Sequence, residues 1–197
     1  MSGAAANAPA PRFPLPGGHE LRPLEPSDAS ELFALTERNR GELARWLSWA
    51  QRGTLNDTVE HIERMRSAEA EAEQGAVDRA IVVEGRIVGT VGLARIDWEN
   101  RSTDIGYWLG QEHQGRGLMT SAVAVLVDHA FDSLRLNRAE IHTDVLNHRS
   151  RAVAERLGFR YEGTLRQAYR ITDDRYSDDA VYAMLASDPE RRSLARR

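Results

Sequence analysis

Among its 197 residues the chain has no cysteine and no lysine. The missing cysteine excludes disulfides, thiolate-ligated zinc sites and any cysteinyl covalent intermediate. The missing lysine removes the usual Schiff-base former, and every basic residue is arginine, which reads as coding bias rather than function. Neither sign of charge dominates: 26 basic against 30 acidic residues give a formal charge of −4, which argues against a general nucleic-acid binder. Long apolar runs are absent too. The stretch Ala122 to Val127 is far too short to span a bilayer. Residues Met1 to Gly18 are rich in Ala, Pro and Gly but carry no apolar signal-peptide core, so no membrane association and a cytoplasmic location are expected.

What is present suits one globular domain. At 41% hydrophobic and 28% charged, the chain is large enough for a proper core. We expect a flexible arm over 1–18, a domain over 19–186 and a polar tail over 187–197. His19 to Leu24 alternates as a short strand, with Pro23 pointing to an edge. Ser27 or Asp28 caps a helix carrying Leu32, Phe33 and Leu35, and Asp57-Thr58 caps another that runs to about Glu73. The acidic stretch Glu69 to Glu73 reads as solvated surface. Ala80 to Val83 and Arg86 to Ile96 form a hairpin around Glu84-Gly85, and Thr103 to Leu109 follows antiparallel. A helix over Gln114 to Phe131, a strand over Ala139 to Val145 and a helix over Ser150 to Leu157 come next. Tyr161 to Ile171 and Arg175 to Leu185 close the domain as a hairpin. The order β-α-α-β-β-β-α-β-α-β-β predicts an α/β (α+β) fold, one mixed and mostly antiparallel sheet flanked by helices. Its strands 103–109 and 139–145 are a parallel pair joined by a crossover helix.

The stretch with most chemical content is His113-Gln114-Gly115-Arg116-Gly117-Leu118-Met119-Thr120. Two glycines between a strand and a helix let backbone N–H groups approach a ligand, and the helix start adds the positive end of its dipole. Together these suit an anion, typically a phosphate. No Gly-Lys-Ser/Thr follows, so this is no P-loop, and the third glycine of the dinucleotide fingerprint is missing. If the two parallel strands splay at their ends, a ligand enters between them.

Gln114-Gly115-Arg116-Gly117-Leu118-Met119 resembles the pyrophosphate loop Q/R-x-x-G-x-G/A of the GNAT superfamily of acetyl-CoA-dependent N-acetyltransferases. It departs at Met119. Asp104 to Leu109 is similar to the strand before that loop. Asn147-His148-Arg149-Ser150, followed by Ala154-Glu155-Arg156-Leu157-Gly158-Phe159, resembles the signature N-x-x-S…A-E-x-x-G-F. The RimJ/RimL-like branch is the nearest in pattern, over roughly His19 to Leu185. This resemblance implies the GNAT-like sheet with splayed central strands and acetyl transfer from acetyl-CoA by direct attack of an amine. The acceptor implied is a protein N-terminal α-amine of the ribosomal-protein type. A small amine (polyamine, amino sugar or antibiotic) and a non-catalytic acyl-CoA-binding module are the alternatives. A homodimer is implied as well.

The coenzyme is then expected on the backbone of Gln114, Gly115, Arg116, Gly117, Leu118, Met119 and Thr120, on the strand backbone of Tyr107, Trp108 and Leu109, and on Asn147. The Trp108 side chain itself reads as core. Ser150 fits two posts: hydrogen-bond donor to the leaving sulfur, and N-cap of its helix. Asp104 is the first choice as general base and His142 the second. Tyr169 stands where some Rim-like enzymes carry a carboxylate, and Glu162 reads as structural. Trp46 and Trp49 suit core packing better than the wall of an acceptor pocket. The six histidines have no metal-ligand spacing with nearby carboxylates, so no metal is expected.

Overall fold

Nearly continuous buried runs rich in β-branched residues make Val77–Val83 (β3) and Arg86–Asp97 (β4) strands covered on both faces, joined by the expected two-residue turn Glu84-Gly85. A computed structural model of the protein describes residues 10–70 and 76–191. The outer parts of the expected arm and tail, and Glu71 to Glu73, lie outside the described residues. Around the hairpin builds one eight-stranded sheet in the order β1-β2-β3-β4-β5-β6-β8-β7. The remaining strands are Phe13–Leu15 (β1), His19–Pro23 (β2), Ser102–Leu109 (β5), Arg138–Asp144 (β6), Arg160–Thr172 (β7) and Arg175–Leu185 (β8). All neighbours are antiparallel except β5 and β6. β2 is not the outermost strand, since β1 pairs with it over His19 to Leu21, but Pro23 lies beyond that pairing, where the outer edge of β2 has no strand partner.

Each face of the sheet carries two helices. Leu118–Asp128 (α3) and His148–Leu157 (α4) lie over the larger core, with Ile105, Leu109, Ala122, Val123, Leu126, Ile141, Val153 and Leu157 buried. Ala29–Leu43 (α1) and Leu55–Ala70 (α2) cover a smaller core of Leu24, Leu32, Leu35, Ile62, Ala80, Val82 and Ile87. No helix among the described residues is long and apolar enough to cross a membrane.

The helix boundaries differ from expectation for local reasons. α3 begins at Leu118, not Gln114, because Gly115 and Gly117 take left-handed φ values of 76° and 80° that no α-helix contains. Its far end passes into a π turn over His129–Ser133. α2 begins before Asp57: Thr54 N–H donates to Asp57 Oδ2 at 2.7 Å and Asp57 N–H to Thr54 Oγ1 at 3.2 Å, so Asp57 sits inside the first turn. α4 is capped by Asn147, whose Oδ1 accepts from the Ser150 N–H at 3.1 Å. Ser150 is therefore the third helical residue and not the N-cap, which leaves its hydroxyl for another partner.

Asp28 ties β2 to α1. Arg22 donates to it at 2.6 and 2.9 Å, and the Glu25 N–H at 2.8 Å. Burial pushes its carboxyl up, but the Arg22 and Glu25 bonds outweigh that and hold it below the ordinary 3.8. A depressed folded-state value contributes stability that is full above the unfolded value and is lost as pH falls through the folded one. Urea unfolding of Asp28→Asn at a series of pH values should therefore show a deficit at pH 7 that shrinks below 3.8. A deficit unchanged down to pH 2 would show that the charge is not what matters.

Candidate active site

β5 and β6 are paired only through Ser102↔Arg138, Thr103↔Ala139 and Asp104↔Glu140. Beyond that point β5 stays on β4 as far as Leu109, and β6 stays on β8 as far as Asp144. The facing backbone edges of 105–109 and 141–144 thus have no strand between them. The resulting slot is a cavity of about 920 Å³. It is lined by Tyr107, Trp108, Leu109, Gln114, Gly115, Gly117, Leu118, Met119, Thr120, His142, Asn147 and Ser150, all singled out from sequence. Asp104 and Arg116 are not among its lining residues.

At one end of the slot the glycine loop meets α3. Among the described residues Gly115, Arg116 and Gly117 N–H groups donate to no protein acceptor, and the first turn of a helix leaves its own N–H groups without intrahelical partners. A Cβ added at Gly115 or Gly117 would meet nothing within 4 Å, so the loop is open toward a ligand. Gln114 differs from expectation. Its N–H closes a 3₁₀ turn on Gln111 O at 3.2 Å. Its side chain donates to Leu109 O at 2.8 Å and accepts from Arg149 at 2.7 Å, bracing β5 against α4 across the slot. Gln114 therefore shapes the site rather than adding a backbone donor to the cradle.

Two hydroxyls meet on the α3/α4 side. Tyr107, whose ring packs on the larger core, places its Oη 3.0 Å from Ser150 Oγ and donates to Ser150 O at 3.1 Å. Burial pushes the Tyr107 hydroxyl up to about 12, with the Ser150 bond opposing, so it stays protonated. Sequence reading took only the backbone of Tyr107; the tyrosine's place on the inward face of its strand was the available signal.

On the opposite face the parallel register brings Asp104, Glu140 and His142 together, with ligand-type atoms within 4.8 Å of one another. This grouping corrects the premise that no histidine has carboxylates at metal-ligand spacing: Glu140 and His142 stand two apart on one strand face, and the parallel register adds Asp104. Both carboxylates are engaged by arginine, Asp104 by Arg95 at 2.9 Å and Glu140 by Arg138. Glu140 also meets His142 Nε2 at 2.8 Å. Burial pushes the Glu140 carboxyl up, but His142 and Arg138 outweigh it and hold it below its ordinary range, so it is an anion beside the histidine. Glu140, missed from sequence, was legible as the residue two before His142 on the same strand face. Glu162 pairs with Arg138 at 3.0 Å, consistent with a structural part.

Beyond Gly106, Tyr107 and Trp108 the slot meets a second cavity of about 1130 Å³ on the α1/α2 face. The tryptophans expected in the core line these cavities instead. Trp49 is 46% exposed and packs on Trp108 with ring centroids 6.2 Å apart; Trp46, half-buried, lines the slot. The reason is that both follow the end of α1, Trp46 in a turn and Trp49 in the short 3₁₀ turn Ser48–Gln51, which run over the sheet and not into it. Tyr169 on β7 holds this turn through Ser48 Oγ at 2.6 Å, and Gln51 donates to Ile171 O at 2.9 Å.

An anion cradle, an unpaired strand edge for an extended amide chain, and a second cavity at the junction fit a nucleotide-bearing thioester and its acceptor. The comparisons agree. Residues 20–160 match the family model described as Acetyltransferase (GNAT) domain. The Ribosomal-protein-serine acetyltransferase of Escherichia coli (strain K12) is 30% identical over 168 residues, 84% of this chain and 92% of that protein. The structure of RimL, a ribosomal L7/L12 alpha-N-protein acetyltransferase in complex with coenzyme A, superposes with a TM-score of 0.83 at 27% identity, covering 90% of this chain and all of the other. The microcin C7 self-immunity acetyltransferase MccE, in complex with acetyl-CoA and AMP, does so with a TM-score of 0.79 at 30% identity, covering 85% and 92%. With its splayed sheet and a family match over well more than half its length, the chain belongs to the GNAT acetyltransferases, which move an acetyl group from acetyl-CoA to an amine.

Proposed function

We propose that the acceptor is the N-terminal α-amine of a protein, of the ribosomal-protein type. The observation that carries this is the second cavity: wide, open to solvent, walled by Trp49 and Trp108, and joined to the slot at Gly106. It has room for the extended start of a polypeptide, more than a small amine needs. The names of the E. coli relative and of RimL, which act on ribosomal proteins, support the same acceptor.

In this reading the backbone N–H groups of Gly115 to Thr120, helped by Arg116, hold the coenzyme's pyrophosphate. The β5 edge at Tyr107 to Leu109 and the Asn147 side chain hold its amide arm. When bound, acetyl-CoA supplies the thioester carbonyl and a thiolate that must gain a proton. The chain's own groups divide the proton work between the two faces. On the acceptor side, His142 lines the slot and Glu140 fixes its ring; a proton on Nε2 facing Glu140 leaves the Nδ1 lone pair to take one from the incoming ammonium. Asp104, held by Arg95, adds negative charge beside it but lies outside the slot lining, so His142 becomes the first choice of base. On the other side, with the Tyr107 proton turned from Ser150 O onto Ser150 Oγ, the Ser150 hydroxyl keeps its own proton turned to the leaving sulfur.

Three outcomes test this. Mass spectrometry of ribosomal-protein N-terminal peptides, spermidine and aminoglycosides with acetyl-CoA should show acetyl on the peptide α-amine; product on the small amines alone would replace the acceptor. His142→Gln should lower kcat on the peptide by about 10²–10⁴-fold with coenzyme binding kept, the usual worth of a positioned base. Full activity in that variant would remove His142 from the role. Tyr107→Phe, lacking the orienting hydroxyl, should reduce kcat more than KM, roughly tenfold for one lost hydrogen bond; an unchanged kcat would make Tyr107 a packing residue only.

A further inference from the structure

Gly106 has no structural need to be glycine. It does not take a left-handed φ, and a Cβ built on it would meet nothing within 4 Å. Glycine inside a strand costs stability relative to a residue with a side chain, so the space above it serves something outside the chain. That space lies where the two cavities meet.

The opening closes at Gly92, where a Cβ would lie 2.6 Å from Val77 O, but the pairing register places a carboxylate there in the same row. Gly92 stands directly opposite Gly106 across β4 and β5, and Asp78 stands opposite Gly92 across β3 and β4. All three line the second cavity, and two of them have no side chain. The Asp78 carboxylate overhangs the row: its Oδ1 lies 3.2 Å from the Cβ position of Gly92. The Asp78 side chain is only 11% exposed. Its Oδ2 meets His61 Nε2 at 2.8 Å, and Oδ1 has no hydrogen-bond partner among the described residues. Arg64 contacts His61 Nδ1 at 3.2 Å. An arginine can only donate, so Nδ1 accepts, the ring proton lies on Nε2, and His61 donates to Asp78. The carboxylate is thereby held in place with one oxygen left over for a ligand.

We propose that this row seats the acceptor and that Asp78 is a specificity-determining residue, reading a hydroxyl on the acceptor's first residue. The inference rests on the protein-amine reading above. With the amine over Gly106, a carboxylate over Gly92 is one strand spacing away, about 5 Å. A serine or threonine hydroxyl, next to the amine on the β-carbon, reaches that far with one hydrogen bond of about 2.8 Å. An alanine or glycine start leaves Oδ1 unpaired beside the ligand.

The test uses the full chain, acetyl-CoA and two peptides that differ only in starting with Ser or Ala, with kcat/KM read by mass spectrometry. The wild type should prefer Ser roughly ten- to a hundredfold, the worth of a hydrogen bond to a charged group. Asp78→Ala should bring that ratio close to one. As a variant independent of Asp78, Gly106→Val should lower kcat/KM on both peptides at least tenfold while calorimetric coenzyme A binding persists. Equal rates on the two peptides in the wild type, or a ratio unchanged by Asp78→Ala, would overturn the role of Asp78 and leave the protein-amine reading standing. An unimpaired Gly106→Val would overturn the seat. Product on spermidine but on neither peptide would overturn the protein-amine reading, and this inference with it.

Discussion

Backbone N–H and C=O groups must find partners, and most strands find them on both sides. β5 and β6 stop doing so at the Asp104↔Glu140 pair, and much of the site follows from that interruption. Each strand keeps one full ladder, β5 on β4 and β6 on β8, so the sheet survives while two facing edges stay open. The opening is braced rather than collapsed. Gln114 links the end of β5 to Arg149 at the start of α4, and the Tyr107 hydroxyl reaches the backbone and side chain of Ser150. An edge held open in this way is a template for an extended chain of amides.

Because strand side chains alternate, the same interruption sorts the chemistry by face. Tyr107 points with Ile105 and Leu109 toward the larger core, where α4 presents Ser150. Asp104, Glu140 and His142 share the other face, where the second cavity opens over Gly106. A thioester lying at the split would have hydroxyl donors on one side and a carboxylate-held imidazole on the other. Direct attack of an amine needs that division, one group to take a proton and another to give one, without an enzyme nucleophile.

The second cavity depends on parts distant in sequence. The turn bearing Trp49 is held by Tyr169 and by Ile171 of β7, and Arg175 of β8 reaches Arg45 O at 2.6 Å and Asp144 at 2.6 Å. These are tertiary hydrogen bonds between segments over 100 residues apart, apart from that between Arg175 and Asp144 on neighbouring strands. They explain why aromatic residues that suit a core by composition stand exposed at the mouth of a cavity.

Local rules made most elements legible. Apolar, β-branched runs marked the strands, the Glu84-Gly85 turn marked a hairpin, and the glycine pair marked the turn into an apolar helix, because each depends only on neighbours along the chain. Helix starts were less legible, since Asn147 and Ser150 are both good caps and only the packed helix shows which one accepts. The grouping of Glu140 with Asp104 and His142, the Tyr107–Ser150 contact, the exposure of Trp49 and the row of Asp78, Gly92 and Gly106 were set by strand register and helix packing. The sequence by itself determined the order of elements from His19 onward, the acyl-transfer motifs and the exclusion of cysteine and lysine chemistry; β1, Phe13–Leu15, lies in the stretch expected as a flexible arm and is a strand only because it pairs with β2. Only the tertiary structure decided which side chains meet across the split, because contact between strands depends on register, and register belongs to the whole sheet.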